Sequence, residues 1–289
     1  MSSPSKPEFI LVPGAWHGPE SFAPTTTLLE KAGYVVHGIT LAAGNGAPRT
    51  SPPLSPNPST SIQIPTSNRN PDIQTIQPDV DLIRATLEKV LSTGKNVVML
   101  YHSYGSVPGT EALAPYLSAP KPGYGKVLRL VFCTAFVLPE GGSLIAALNN
   151  EPLPWFKITK GGELGKSGVL MRCDVKDDLV EPTTPQQIFY NDLSSTAAAP
   201  YISALKPHSY RTFFSQLTVA PWKTIPSTYI ICTQDNAIPL PAQEGMLAMA
   251  GQMAPGSFDV VERVEAGHSA FISRPEVVVG ILVGAAGGE

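Results

Sequence analysis

The stretch Asn96-Val97-Val98-Met99-Leu100-Tyr101-His102-Ser103-Tyr104-Gly105-Ser106 decides how the chain is read. A run of β-formers over 97–100 stops at a serine set among small and polar residues, and a helix-compatible segment follows. This is the layout of a nucleophile elbow, a sharp strand-to-helix turn that lifts a serine hydroxyl above a sheet. The pattern asks for G-x-S-x-G; Tyr101 replaces the first glycine, and Gly105 is kept. Gly105 lets the turn be expected to form around the tyrosine. Taken alone, Ser103 could equally be a helix N-cap, so its partners must be sought elsewhere in the chain.

Upstream, residues 9–12 (Phe-Ile-Leu-Val) predict a buried strand closed by Pro13-Gly14. A helix is predicted over 19–31 with Gly33 as its stop, then a strand over 34–39. Strand–helix–strand order at this spacing predicts a parallel sheet. Residues 43–78 break the rhythm, with Pro48, Pro52, Pro53, Pro56, Pro58, Pro65, Pro71 and Pro78 among Ser, Thr and Asn. They read as a long surface excursion. Because it leaves the carboxyl end of a strand, it could also serve as a pocket rim. Asp79 is then placed as the N-cap of a helix carrying Val80, Ile83, Leu87, Val90 and Leu91 on one face.

After the elbow a helix is predicted over 104–117 and a strand over 127–135. The alternation stops between 138 and 222. There, 155–159 and 169–173 flank a glycine-rich stretch and predict a hairpin, and Thr184-Pro185 opens a short helix. We read 138–222 as an inserted cap on a core made of 1–137 and 223–289. Strand 228–232, helix 241–253, strand 258–264 and helix 275–283 then restore the α/β order. Gly161-Gly162-Glu163-Leu164-Gly165-Lys166-Ser167 imitates a phosphate-binding loop. It has three residues between its glycines where that motif has four, and it joins no core strand to a helix, so it is rejected.

Composition narrows the function classes. The chain has 289 residues, 43% hydrophobic and 15% charged, which suits one α/β domain with a large core. A net charge of -3 without a basic cluster argues against nucleic acid as a partner. Cys133, Cys173 and Cys232 have neither metal-like nor disulfide-like spacing and read as thiols of a reducing compartment. No signal peptide is visible, and the longest apolar run, 277–286, is too short to span a bilayer. A cytoplasmic protein with no membrane partner, no metal and no cofactor is expected.

A serine nucleophile needs a base, and the base needs an orienting acid. Elbow enzymes take them in chain order Ser, Asp or Glu, His, each at a strand end. Asp235 follows strand 228–232, and His268 follows strand 258–264, 268 − 235 = 33 residues later. That interval fits one helix and one strand. Glu265 is a rival acid, but three residues before His268 on the same strand end it is poorly placed to reach the ring. An oxyanion hole needs two backbone N–H groups. Tyr104, after the nucleophile, should give one, and Ala15, in the loop after the first strand, the other. His17 in that loop is a loop-fixing residue that could touch substrate; His37 and His102 read as packing residues.

Residues 11–18 (Leu-Val-Pro-Gly-Ala-Trp-His-Gly), His102-Ser103-Tyr104-Gly105, 235–239 and Gly267-His268 together resemble the α/β-hydrolase superfamily. Within it they are similar to the branch of plant methylesterases and hydroxynitrile lyases, over about residues 8–285. The resemblance implies an α/β-hydrolase fold, with a mostly parallel sheet flanked by helices and an inserted cap. The lyases of this branch carry a threonine in the oxyanion loop and a lysine just after the histidine. Gly14 and Ser269 stand there, which favours the esterase side.

The expected activity is therefore hydrolysis of a small carboxylic ester or lactone by Ser103, His268 and Asp235. Gly14, Trp16, His17, Phe136, Trp155, Phe189, Tyr190 and Phe214 are the candidate substrate contacts, with Phe156, Phe213 and Trp222 adding to the aromatic supply. Such a pocket suits an apolar or aromatic substrate. Two other readings stay open: a lyase, cyclase or carbon–carbon bond enzyme using His268 as base, and a ligand-binding protein with a vestigial triad. Oligomeric state, a homodimer included, also stays open.

Overall fold

The computed structural model describes residues 6–44, 75–118, 121–159 and 178–287. The Pro-rich stretch falls almost wholly outside these residues, as do the phosphate-loop imitation, 169–173 and Cys173.

Strand β1 (Glu8–Val12) runs into a turn at Pro19–Phe22 and helix α1 (Ala23–Lys31), and strand β2 (Val36–Gly38) follows. Pro19 holds the first turn of the predicted helix in the tighter 3-10 form, so the α-helix proper starts later than expected. Helix α2 (Gln77–Leu91) buries Val80, Ile83, Leu87, Val90 and Leu91, the predicted face. Asp79 is not its N-cap. Pro78 occupies the first turn, where its missing N–H costs nothing, so the helix starts before Asp79 and the carboxylate turns inward.

Strand β3 (Val97–His102) is buried at every position and leads through Ser103–Gly105 into helix α3 (Ser106–Glu111). The helix predicted over 104–117 is thus broken. Pro115 lacks a donor and disfavours helical backbone before it, so only a 3-10 turn, Ala114–Tyr116, continues it. Strand β4 (Val127–Cys133) follows.

The stretch before the next core strand carries helix α4 (Leu144–Ala147), strands β5 (Phe156–Thr159) and β6 (Leu179–Pro182), helices α5 (Pro185–Phe189) and α6 (Ser195–Ala204), and strand β7 (His208–Ser209). The three strands form their own antiparallel sheet in the order β5-β6-β7. Among the described residues β5 pairs with β6; the second limb of the expected hairpin, 169–173, lies outside them. The core then closes with β8 (Ser227–Cys232), α7 (Leu240–Met253), β9 (Phe258–Val264), α8 (Ala270–Ser273) and α9 (Pro275–Ala285).

The main sheet has the order β2-β1-β3-β4-β8-β9, and every neighbouring pair is parallel. Such a sheet must be covered on both faces. Its central strands read accordingly, with residues 9–12, 97–101 and 130–133 fully buried. Each large side chain so buried contributes roughly 1.5–3 kcal/mol. The chain moves from β1 outward to β2, then returns to β3 on the other side of β1. The strand order therefore reverses between β1 and β3, the place where open α/β sheets hold ligands beyond their carboxyl ends. No helix among the described residues is long and apolar enough to cross a membrane.

Candidate active site

The loops after β1 and β3 meet at that switch point. Ser103 takes φ +52°, a left-handed backbone that a serine adopts only under constraint. The constraint is visible at Gly105. A Cβ there would overlap the carbonyl oxygens of Val12 and Pro13, so only glycine lets the elbow press against the end of β1.

Ser103, Tyr104, Ala15 and His268 line one cavity of about 330 Å³, its open mouth included. His268 Nδ1 lies 2.8 Å from Asp235 Oδ2. With Nδ1 engaged, Nε2 is the nitrogen left for a proton on the cavity side. Asp235 is fully used: Oδ1 accepts from the N–H groups of Ala237 at 2.6 Å and Ile238 at 3.0 Å, and Oδ2 also accepts from the Thr134 hydroxyl. Glu265 is exposed and accepts from Gln234 at 3.1 Å, away from the imidazole.

The rest of the cavity is apolar. Trp16, Phe136, Trp155, Phe156, Phe189 and Phe213 form its aromatic wall, with Leu144, Leu148, Leu153, Ala237 and Ile238 between them. Trp16 also takes φ +68° and ties the loop after β1 to the segment between β4 and β8: its ring stacks on Phe189 at 5.4 Å, and its Nε1 donates to the Val180 carbonyl at 2.8 Å.

Other expected contacts stand one layer back. The Gly14 N–H donates to His102 Nδ1 at 3.3 Å. His17 is buried between the Ala15 carbonyl, 2.8 Å from Nδ1, and the Tyr190 hydroxyl, 2.9 Å from Nε2. Burial above all pulls its pKa down to about 4; the Ala15 carbonyl opposes this and His268 adds to it. Phe214 is displaced from the expected set. Its side chain is half exposed, whereas its neighbour Phe213 is buried and lines the cavity, because successive residues of the 3-10 turn there point about 120° apart. Trp222 is fully buried and donates to the Leu138 carbonyl, away from the cavity.

Three participants had no readable signal in the sequence. His102 takes the Gly14 N–H and places Nε2 3.1 Å from the His268 carbonyl, bridging the first loop to the last. Burial, followed by the neighbouring His268 and His17, keeps it well below the usual histidine range. Thr134, at φ +39°, directly follows β4 and reaches Asp235. Asp79 accepts from the Ala43 N–H at 3.0 Å and from the Tyr104 hydroxyl at 2.8 Å, anchoring the residue after Ser103. Burial raises its pKa.

Comparisons with known proteins bear on the family and the fold. The profile of the Alpha/beta hydrolase family matches residues 9–281. The chain is 31% identical over 283 residues to Alpha/beta hydrolase nvfD of Aspergillus novofumigatus, covering 98% of this chain and 97% of that one. It is 25% identical over 295 residues to Methylesterase 4 of Arabidopsis thaliana, covering 98% and 97%. Among solved structures, polyneuridine aldehyde esterase superposes with a TM-score of 0.71 at 18% identity, covering 97% of this chain and 99% of the other.

Proposed function

The chain belongs to the Alpha/beta hydrolase family, and from that premise we propose that it is a serine hydrolase acting on a small, uncharged carboxylic ester or lactone. One observation carries the reading. Ser103, strained at the strand-to-helix turn, opens onto the same cavity as an imidazole whose far nitrogen is held by a buried aspartate.

In this reading Ser103 Oγ attacks the ester carbonyl while His268 Nε2 takes its proton. The N–H groups of Ala15 and Tyr104 stabilise the oxyanion, and the protonated imidazole, steadied by Asp235, hands its proton to the leaving alkoxide. Water then attacks the acyl-Ser103 carbonyl, His268 again acting as base and returning the proton to Ser103. The insertion between β4 and β8 serves as a cap whose aromatic residues hold the apolar part of the substrate. The methylesterase and esterase names of its relatives support an ester as substrate.

A panel of p-nitrophenyl esters and lactones run in ¹⁸O-labelled water tests this. Label should enter the acid product, and Ser103→Ala should lose several orders of magnitude in turnover. Turnover without label in the acid would point to proton shuffling by His268 instead.

A further inference from the structure

Four consecutive residues of the insertion between them meet three loops of the site, those after β1, β8 and β9. Phe189 sets its ring 5.6 Å from that of His268. Tyr190 bonds His17 in the loop after β1. Asn191 Nδ2 donates to the Gln234 carbonyl, beside Asp235, at 2.8 Å. Asp192 Oδ2 accepts from the Gly267 N–H, beside His268, at 2.8 Å, and from the Ser273 hydroxyl at 2.5 Å. The fit is close: a Cβ on Gly267 would overlap the side chain of Asn191.

His268 sits in irregular chain and must be held in place by its surroundings. Its ring is fixed by Asp235, its carbonyl by His102 and the amide before it by Asp192. The first two holds come from the core. The third comes from the insertion. Asp192 Oδ2 places both of its hydrogen bonds around His268, one on the Gly267 amide before it and one on Ser273 of the helix α8 that follows. We propose that Asp192 is a positioning residue that fixes the His268 loop, so that the seating of the insertion sets the alignment of the imidazole. This rests on His268 acting as the base.

The test compares Asp192→Ala and Asp192→Asn in the full chain. Turnover of a p-nitrophenyl ester is counted per site labelled by a fluorophosphonate. The downfield proton resonance of the His268 Nδ1–H bond, identified by its loss in Asp235→Ala, is followed alongside. Asp192→Ala should lower kcat by about 10–100-fold with KM within about threefold, because a misplaced base slows chemistry more than binding. It should also lose or broaden the resonance. Asp192→Asn keeps an oxygen for Gly267 and Ser273 and should retain both. Should Asp192→Ala not fold, Ser273→Ala, which removes only the brace on Asp192, should still lower kcat several-fold. Unchanged kcat per labelled site, or an Asn variant as impaired as the Ala variant, would overturn the proposal. If the wild type turns over no ester, the hydrolase reading fails separately and the resonance alone decides the role of Asp192.

Discussion

His268 Nδ1 and Asp235 Oδ2 are 2.8 Å apart, and both side chains are closed to solvent. Asp235 has no spare acceptor, since Ala237, Ile238 and Thr134 take the rest. Asp235→Asn would keep the shape but set an amide N–H against one of these donors and favour the wrong imidazole tautomer. We expect kcat to fall by about 10³–10⁴-fold with the fold intact by circular dichroism. Steady-state kinetics on a p-nitrophenyl ester checks this; a loss under tenfold would remove Asp235 from the triad.

Tyr101 replaces the motif's first glycine yet does not line the cavity. Its ring packs 5.2 Å from Phe132, its hydroxyl donates to the Gly109 carbonyl at 3.2 Å, and a Cβ on Gly109 would overlap the ring. The space a glycine at 101 would give is supplied at 109 instead. Gly109→Ala should therefore destabilise the fold by roughly 1–3 kcal/mol by overpacking. In a Tyr101→Ala background the same change should cost much less, because the ring it overlaps is gone. A urea-denaturation double-mutant cycle reads the coupling, and additive losses would refute the pairing.

Stability should fall on mild acidification. Burial keeps His17 neutral to about 4, His208 to about 3 and His102 well below the usual range. The unfolded chain protonates all three near 6.5. As pH falls from 6.5 towards 4 the unfolded state binds more protons, and each such histidine costs about 1.4 kcal/mol per pH unit. Asp79, raised by burial, works the other way: its contribution is present at low pH and lost as pH rises. His208→Gln should flatten the pH slope of unfolding free energy between 6.5 and 5; an unchanged slope would contradict this account.

The cavity should reject charge. Among the described residues none that lines it is Asp, Glu, Lys or Arg, and the polar tips of Trp16 and Tyr104 are spent on Val180 and Asp79. Burying an unpaired carboxylate costs several kcal/mol. We expect kcat/KM for a p-nitrophenyl ester of an apolar acid to exceed that for p-nitrophenyl hemisuccinate by about 100-fold or more. Comparable values would show that the acyl group binds elsewhere.

The sequence carried the parts that local chemistry dictates. The apolar runs at 9–12 and 97–100 became adjacent parallel strands, and the interval between Asp235 and His268 matched one helix and one strand. Other features depend on distant contacts and leave no local mark. Asp79 looks like a cap until Pro78 shifts the helix start, and it turns in only because Tyr104 and Ala43 are waiting. Thr134 and His102 look like ordinary strand-end residues until β8 and the loop after β9 reach them. Phe213 and Phe214 cannot be told apart by type; the backbone of a short 3-10 turn chooses between them.

The most direct test is to trap the intermediate. The protein is mixed with a p-nitrophenyl ester, quenched in acid within the first turnovers and digested, and the peptide holding Ser103 is weighed by mass spectrometry. An acyl adduct is expected on Ser103, forming with the burst of nitrophenol and absent from Ser103→Ala. Ester turnover that persists in Ser103→Ala, with no adduct on the wild-type peptide, would contradict it.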